Sequence, residues 1–155
     1  LSSDAKLAVS ERSEYEKLCV ENGTQLNLIQ YLSDYLDKPE SSYTTLPANV
    51  GLNDNTLTGL ITQYNTLILE RNRLLRTSSE ANPVIQRLNS DIQNMRTNLV
   101  TTITSVRKGL LITKSDLDRE AGKYAGRISN APAQERRFVK RTISPLQPPP
   151  TMPKS

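Results

Sequence analysis

The sequence predicts an all-α fold. The expectation is a long antiparallel helical hairpin or coiled coil, with helices over about 3–37, 54–77 and 83–129 and an extended Pro-rich C-terminal tail. Three observations predict it. Apolar residues make up only 35% of the 155 residues and aromatic residues 5%, with no Trp and one Phe. Counting the 6 Gly as well gives roughly 39%, against about 45–50% in an ordinary soluble domain. Leu, Ile and Val nevertheless recur at steps of three and four, and a stripe along an extended helix needs fewer apolar residues than a globular core. The prolines, finally, fall only at breaks between long uninterrupted segments.

The first segment, Ser2 to Asp37, carries a seam of Tyr15, Leu18, Ile29, Leu32 and Leu36. Asn22 and Gln25 interrupt that seam and Gly23 weakens it. A polar seam residue can fix register at some loss of stability. Lys38 to Asn53 is a 16-residue connection holding Pro39, Pro47 and Gly51; loops of this length are uncommon unless functional or flexible.

The second segment, Thr56 to Thr77, carries Leu57, Ile61, Tyr64, Leu67, Ile68, Leu74 and Leu75, with Asn53 or Asp54 as its cap. Arg71, Arg73 and Arg76 load its C-terminal turns, where cations suit the helix dipole. Only Thr77 to Ala81 then separates it from Asn82, which leaves room for a tight reversal into an antiparallel partner. This pairing places Leu74 and Leu75 near Ile85 and Leu88, and Leu67 near Met95.

The third segment is the most regular. Its seam runs through Ile85, Leu88, Ile92, Met95, Leu99, Ile103, Val106, Leu110, Thr113, Leu117, Ala121, Tyr124 and Ile128, in steps of three and four with two four-residue slips. Asn82 is a good N-cap, and Pro83 stands at the first helical position, where its missing amide does no harm. Gly109, Gly122 and Gly126 weaken this helix by about 1 kcal/mol each relative to Ala. Pro145, Pro148, Pro149, Pro150 and Pro153 make the tail a linker or spacer.

Charge is unevenly spread beneath the net +4. Residues 1–40 hold 4 basic and 8 acidic side chains, and residues 82–130 hold 8 basic and 4 acidic. Solvated helix faces account for this; a sharper reading is attraction between the first and third helices, within or between subunits. Acidic residues interrupt the basic ones, so the one-sign stripe that a nucleic-acid partner wants is missing. The basic cluster Arg136, Arg137, Lys140 and Arg141 reads as a solvated helix end, or as a contact for phosphate head groups or an anionic glycan.

The residue inventory argues against most site chemistry. There is no His, which removes imidazole catalysis and His-ligated metals. Cys19 is the single thiol and reads as a small buried apolar residue. No glycine-rich loop precedes a Lys-Ser/Thr pair, and acidic pairs such as Asp116 with Glu120 suit a solvated surface. No catalytic, cofactor or metal residue is therefore assigned. No run of about 18 apolar residues spans a membrane. Without a signal peptide or an initiator Met, the chain reads as a fragment of a longer one.

Several runs nevertheless resemble a known family. Leu60-Ile61-x-x-Tyr64-x-x-Leu67-x-x-Glu70-Arg71-Asn72-Arg73-Leu74-Leu75 is followed by Ser78-Ser79-Glu80-Ala81-Asn82-Pro83-Val84. Ile85-x-x-Leu88-x-x-x-Ile92-x-x-Met95-Arg96-x-x-Leu99 comes next, and Pro132-x-x-Glu135 closes the series. In order and spacing these are similar to the helical hairpin of bacterial polysaccharide co-polymerases, the chain-length determinant proteins, including those fused to a tyrosine autokinase. Tyr64, Glu70, Arg71, Leu74, Asn82, Pro83, Ile85, Leu88, Ile92, Pro132 and Glu135 carry the resemblance.

The resemblance implies an extracytoplasmic helical protrusion over 1–144 and a linker or pre-membrane segment over 145–155. It implies a periplasmic position in an inner-membrane protein, anchored by flanking spans outside this chain, and a ring-like homo-oligomer. A polysaccharide polymerase, an outer-membrane export channel and a glycan are the implied partners, and regulation of capsular or exopolysaccharide length and export the implied role. Any kinase domain would lie outside this chain. After Phe138 the family pattern returns as helix toward the membrane, whereas here Val139 to Ser144 leads into prolines. Two other readings fit the same helices: a cytoplasmic coiled-coil scaffold or tether unrelated to glycans, and a piece of an enzyme named for an activity housed elsewhere.

Overall fold

In a computed structural model of the chain, residues 2–129 are described, with side chains as far as 123. The expectations for Pro132, Glu135, the basic cluster and the Pro-rich tail lie outside the described residues, as do the side chains of Tyr124 and Ile128. Among the described residues 81% are helical and none is in a strand. Helix α1 runs over Ser3–Asp37, a short 3-10 turn over Pro39–Ser41, α2 over Asn55–Leu74 and α3 over Pro83–Ser129. Both α1 and α2 pack against α3. The expected all-α fold is borne out.

The ends of the helices have local causes. Asp54 has extended backbone, and its carboxylate accepts from the Leu57 amide at 2.8 Å, so α2 starts one residue after its cap. Helix α2 ends earlier than the sequence suggests, at Leu74 rather than Thr77. There the amides of Arg76 and Thr77 bond three residues back, to Arg73 and Leu74, and tighten the chain into the reversal. Asn82 accepts from the Val84 amide at 2.9 Å and Pro83 opens α3, as expected.

Two compact units divide the described residues: 23–112, and 2–22 with 113–129. The first holds the main core, where Ile29, Leu32 and Leu36 of α1 cluster with Leu57, Ile61, Tyr64 and Ile68 of α2 and Ile92, Leu99 and Ile103 of α3. Leu67 and Met95 are partly buried and each packs against this cluster. On α3 the deepest positions are Ile85, Ile92 and Leu99, seven residues apart. Leu88 is only half-buried. Helix α1 ends at Asp37, beside Arg96, so α1 does not reach the two turns of α3 that precede Arg96.

The order of contacts sets helix direction in this unit. Gln25 of α1 bonds Gly51 and Asn53, just before α2 begins, while Leu36 and Tyr64 share Arg96 as a partner. Both contacts span the same offset, so α1 and α2 run parallel and α3 runs against both. The chain between them must therefore travel back, and Lys38 to Asp54 does so as a strap along α2. Tyr43 lies at Asn72, Leu46 at Asn65, and the segment from Pro47 to Leu52 beside Thr58, Ile61 and Thr62. Asn49 (φ 59°) and Gly51 (φ 92°) take left-handed backbone to make the last bend.

The other unit has a thinner interior. Its buried side chains are Ala5, Tyr15 and Asn22 of α1 and Leu117 of α3. The seam expected at Leu18 is corrected here. Leu18 is 51% exposed, and Cys19 is half-buried in its place. The seam passes through Tyr15, Cys19, Asn22, Leu26 and Ile29, so Asn22 continues it rather than interrupting it. Thr113, at the polar step of the α3 seam, is exposed.

Candidate functional site

Two arginines organise the ordered polar chemistry, and both hold the strap. Arg71 sits one turn from the end of α2 and is only 5% exposed. A buried guanidinium is costly unless its donors find partners. Arg71 Nε donates to Asn89 Oδ1, Nη1 donates to Asn72 Oδ1 at 3.2 Å, and Nη2 to Glu80 Oε1 at 3.0 Å. Its carbon centre lies 3.5 Å from the Tyr43 ring centroid, a cation–π contact that an arginine plane suits better than a lysine ammonium. The Asn72 amide then donates to the Tyr43 carbonyl at 3.2 Å. Arg71 thus joins α2, the reversal, α3 and the strap at one point.

Arg96 does the same one layer along. From α3 its Nη1 donates to the Tyr64 hydroxyl at 3.0 Å and its Nη2 to the Ser41 hydroxyl at 3.0 Å and to the Leu36 carbonyl. A cation at the last exposed carbonyls of α1 completes bonds that the helix end leaves open and opposes its negative dipole end. Ser41 in turn donates to the Lys38 carbonyl at 2.6 Å.

Between these two centres the strap is held by side-chain amides acting as a backbone partner. The Leu46 amide donates to Asn65 Oδ1 at 2.7 Å, and Asn65 Nδ2 donates back to the Leu46 carbonyl at 2.9 Å. At the far end, Gln25 Nε2 donates to the Gly51 carbonyl at 2.8 Å and Gln25 Oε1 accepts from the Asn53 amide at 3.0 Å. Leu46, 3% exposed, fills the core beneath. The strap and α2 enclose an open cleft of about 330 Å³ lined by Pro47 to Leu52 with Thr58, Ile61 and Thr62. No charged side chain lines it.

No family model, curated protein or solved structure matches this chain. Of the eleven positions expected to carry the resemblance, Tyr64, Arg71, Asn82, Pro83, Ile85 and Ile92 build the hairpin and its reversal. Glu70 lies on the outer face of α2, where Arg73 donates to it at 2.7 and 3.1 Å. Those bonds hold the Glu70 carboxyl below its usual range and raise Arg73 in return. Leu74 and Leu88 are half-buried. Sequence reasoning missed Gln25, Tyr43, Asn65 and Arg96 as clamps. Arg96 stood in the quoted Met95-Arg96 pair, and a cation beside a seam position was the available signal.

The smaller unit has one perturbed group. Burial first, and the hydrogen bond with Cys19 second, push the Tyr15 phenol up to about 12. The Arg12 guanidinium lies 4.6 Å from that ring's centroid. This is a packed structural pair on one face of α1, and Cys19 lies half-buried in it. Among the described residues there is no group of three acidic or thiol side chains spaced for a metal ion, and no helix long and apolar enough to cross a membrane.

Proposed function

We propose that this chain is a non-catalytic, self-associating scaffold: the extracytoplasmic helical region of a polysaccharide co-polymerase that regulates the length and export of a capsular or exopolysaccharide. The observation that carries the reading is where the family-like residues fall. Tyr64, Arg71, Asn82, Pro83, Ile85 and Ile92 are the residues that cap, knot and fill the hairpin. A motif kept for an active site would instead converge on a pocket. The polar hydrogen bonds also serve rigidity: buried Arg71 and half-buried Arg96 bond groups of the protein itself rather than facing an open cleft. A rigid helical wall suits a protein that spaces other subunits around a growing polymer. In this reading the parent chain carries membrane spans on both sides, sits in the inner membrane, and works with a polymerase and an outer-membrane export channel.

Two measurements test it together. A phosphatase reporter fused in the reversal near Glu80, active only outside the cytoplasm, should be active in cells; an inactive reporter would favour the cytoplasmic tether. Replacing residues 23–112 in the parent should shift the length distribution of the surface polysaccharide on gels. Unchanged polymer length and amount would reject the role.

A further inference from the structure

One stretch of the strap keeps its main chain unpaired, and that stretch lines the cleft against α2. On one side Asn65 takes both main-chain groups of Leu46, and on the other Gln25 takes the Gly51 carbonyl and the Asn53 amide. Between these ties the amides from Ala48 to Leu52 have no partner among the described residues, nor have the carbonyls of Ala48, Asn49 and Val50. Ile61 is the buried part of the lining, and Pro47, Val50 and Leu52 are half-buried around it. Thr58 and Thr62 donate their hydroxyl hydrogens to the Asp54 and Thr58 carbonyls of their own helix, at 2.9 and 3.1 Å. Toward a ligand, each is therefore an acceptor.

This lining selects a chemical class. With no charged side chain in the cleft, an ion would lose hydration and gain no opposite charge. An extended peptide pairs along a regular edge, and left-handed backbone at Asn49 and Gly51 breaks the run twice. A wholly apolar ligand would cover free amides and carbonyls without bonding them. A compact neutral ring with hydroxyls around its rim and carbon–hydrogen faces meets all three demands, and a sugar is such a ring. The volume of about 330 Å³ is at the small end of ligand pockets, about 300–1,000 Å³.

We propose that the cleft between the strap and α2 binds an uncharged sugar unit of the polysaccharide. The sugar's hydroxyls bond the free main-chain groups from Ala48 to Leu52 and the accepting oxygens of Thr58 and Thr62, while a ring face rests on Val50 and Ile61. The assignment rests on the polysaccharide reading and adds to it the place where the polymer is touched. Each bond replaces one to water, so a single contact is weak. Weak contacts repeated on the copies of an assembly hold a polymer without trapping it.

Nuclear magnetic resonance of the whole nitrogen-labelled chain tests it. Maltotriose, cellotriose and mannotriose serve as neutral probes, trigalacturonate as a charged one and a Gly-Ser peptide as an extended one. At least one neutral sugar should move the Val50, Gly51 and Leu52 amide signals and saturate in the millimolar range. Trigalacturonate and the peptide should leave them in place. Thr62→Trp, at an exposed position, should fill the cleft and raise the dissociation constant at least about tenfold. Thr66→Trp, one turn further along α2 and outside the lining, should not. Circular dichroism checks that both variants fold. No movement with any neutral sugar, a stronger response to trigalacturonate or the peptide, or binding that survives Thr62→Trp overturns the cleft assignment. The scaffold reading then still stands on its own reporter and polymer-length tests. Sugar binding here, in a parent whose polymer length and amount do not depend on residues 23–112, would keep the cleft and sink the co-polymerase role.

Discussion

Arg96 of α3 closes the C-terminal end of α1 by donating to the Leu36 carbonyl, sixty residues away in sequence, while its other nitrogen bonds the Tyr64 hydroxyl of α2. One guanidinium therefore fastens three helices and, through Ser41, the start of the strap. Arg96→Met keeps much of the stem and removes these bonds. It should cost about 2–3 kcal/mol, because the Leu36 carbonyl and the Ser41 hydroxyl lose a charged donor where both are sheltered. Tyr64→Phe should cost only about 1 kcal/mol, since Arg96 keeps its other partners. Urea titrations of the two variants measure the difference, and equal losses would show that Arg96 is not the common fastener.

Arg71→Lys retains the charge and loses the fork. A lysine cannot serve Asn89, Asn72 and Glu80 together while stacking on Tyr43. We expect a loss of about 1–2 kcal/mol, read by the thermal midpoint. Tyr43→Leu should lose part of the same amount, and the double variant less than the sum of the two, because they share one contact.

Asn65 holds Leu46 in both directions. Asn65→Leu is close in size and abolishes both bonds. The Leu46 amide should then exchange its hydrogen faster by at least about tenfold, the counterpart of about 1.4 kcal/mol of local opening. Amides in the middle of α3 should be little affected. Hydrogen exchange followed by mass spectrometry separates the two regions, and uniform acceleration would mean that the strap and the bundle open together.

Leu99 is fully buried and Leu88 half-buried, although the spacing gives them equal rank. Leu99→Ala should cost about 2–5 kcal/mol, in the range of cavities in well-packed cores. Leu88→Ala should cost about 1 kcal/mol or less, since water already reaches the site. Leu88→Asp, by the same argument, should be tolerated far better than Leu99→Asp.

Tyr15 supplies a pH dependence whose sign follows from its phenol being pushed up to about 12 from an ordinary value of 10.0. The unfolded chain ionises Tyr15 first. Its contribution is therefore complete below pH 10 and is lost as pH rises through about 12. Comparing the unaltered chain with Tyr15→Phe isolates this from the other tyrosines: the stability gap between them should change only in that window. A gap independent of pH would show that the phenol is not held in its neutral form.

The long third helix was legible because thirteen seam positions repeat one rule, and the caps at Asp54 and Asn82 because capping needs only neighbours. Leu18 misled because it is apolar and near the expected phase, while Cys19 and Asn22, the residues in phase, look less like a core. The strap was not legible. Its order comes from Asn65, Asn72 and Gln25, single polar residues with no period, whose partners lie 19, 29 and 26 or 28 positions away. A 16-residue connection with two prolines reads as loose until those amides are placed. The direction of α2 was hidden for the same reason, since parallel α1 and α2 follow from where the strap is tied.

The return path of the strap also dictates an order of assembly. Arg71 and Asn89 are separated by 18 residues, Leu36 and Arg96 by 60. Closing the longer loop costs about 1 kcal/mol more in chain entropy, and α1 gains its seat only once α2 and α3 lie side by side. Helices α2 and α3 should thus form the folding nucleus, with α1 the last element to arrive during refolding and the first to leave. Mutations at Ile68 and Ile92 should slow folding, whereas those at Ile29 and Leu32 should chiefly hasten unfolding.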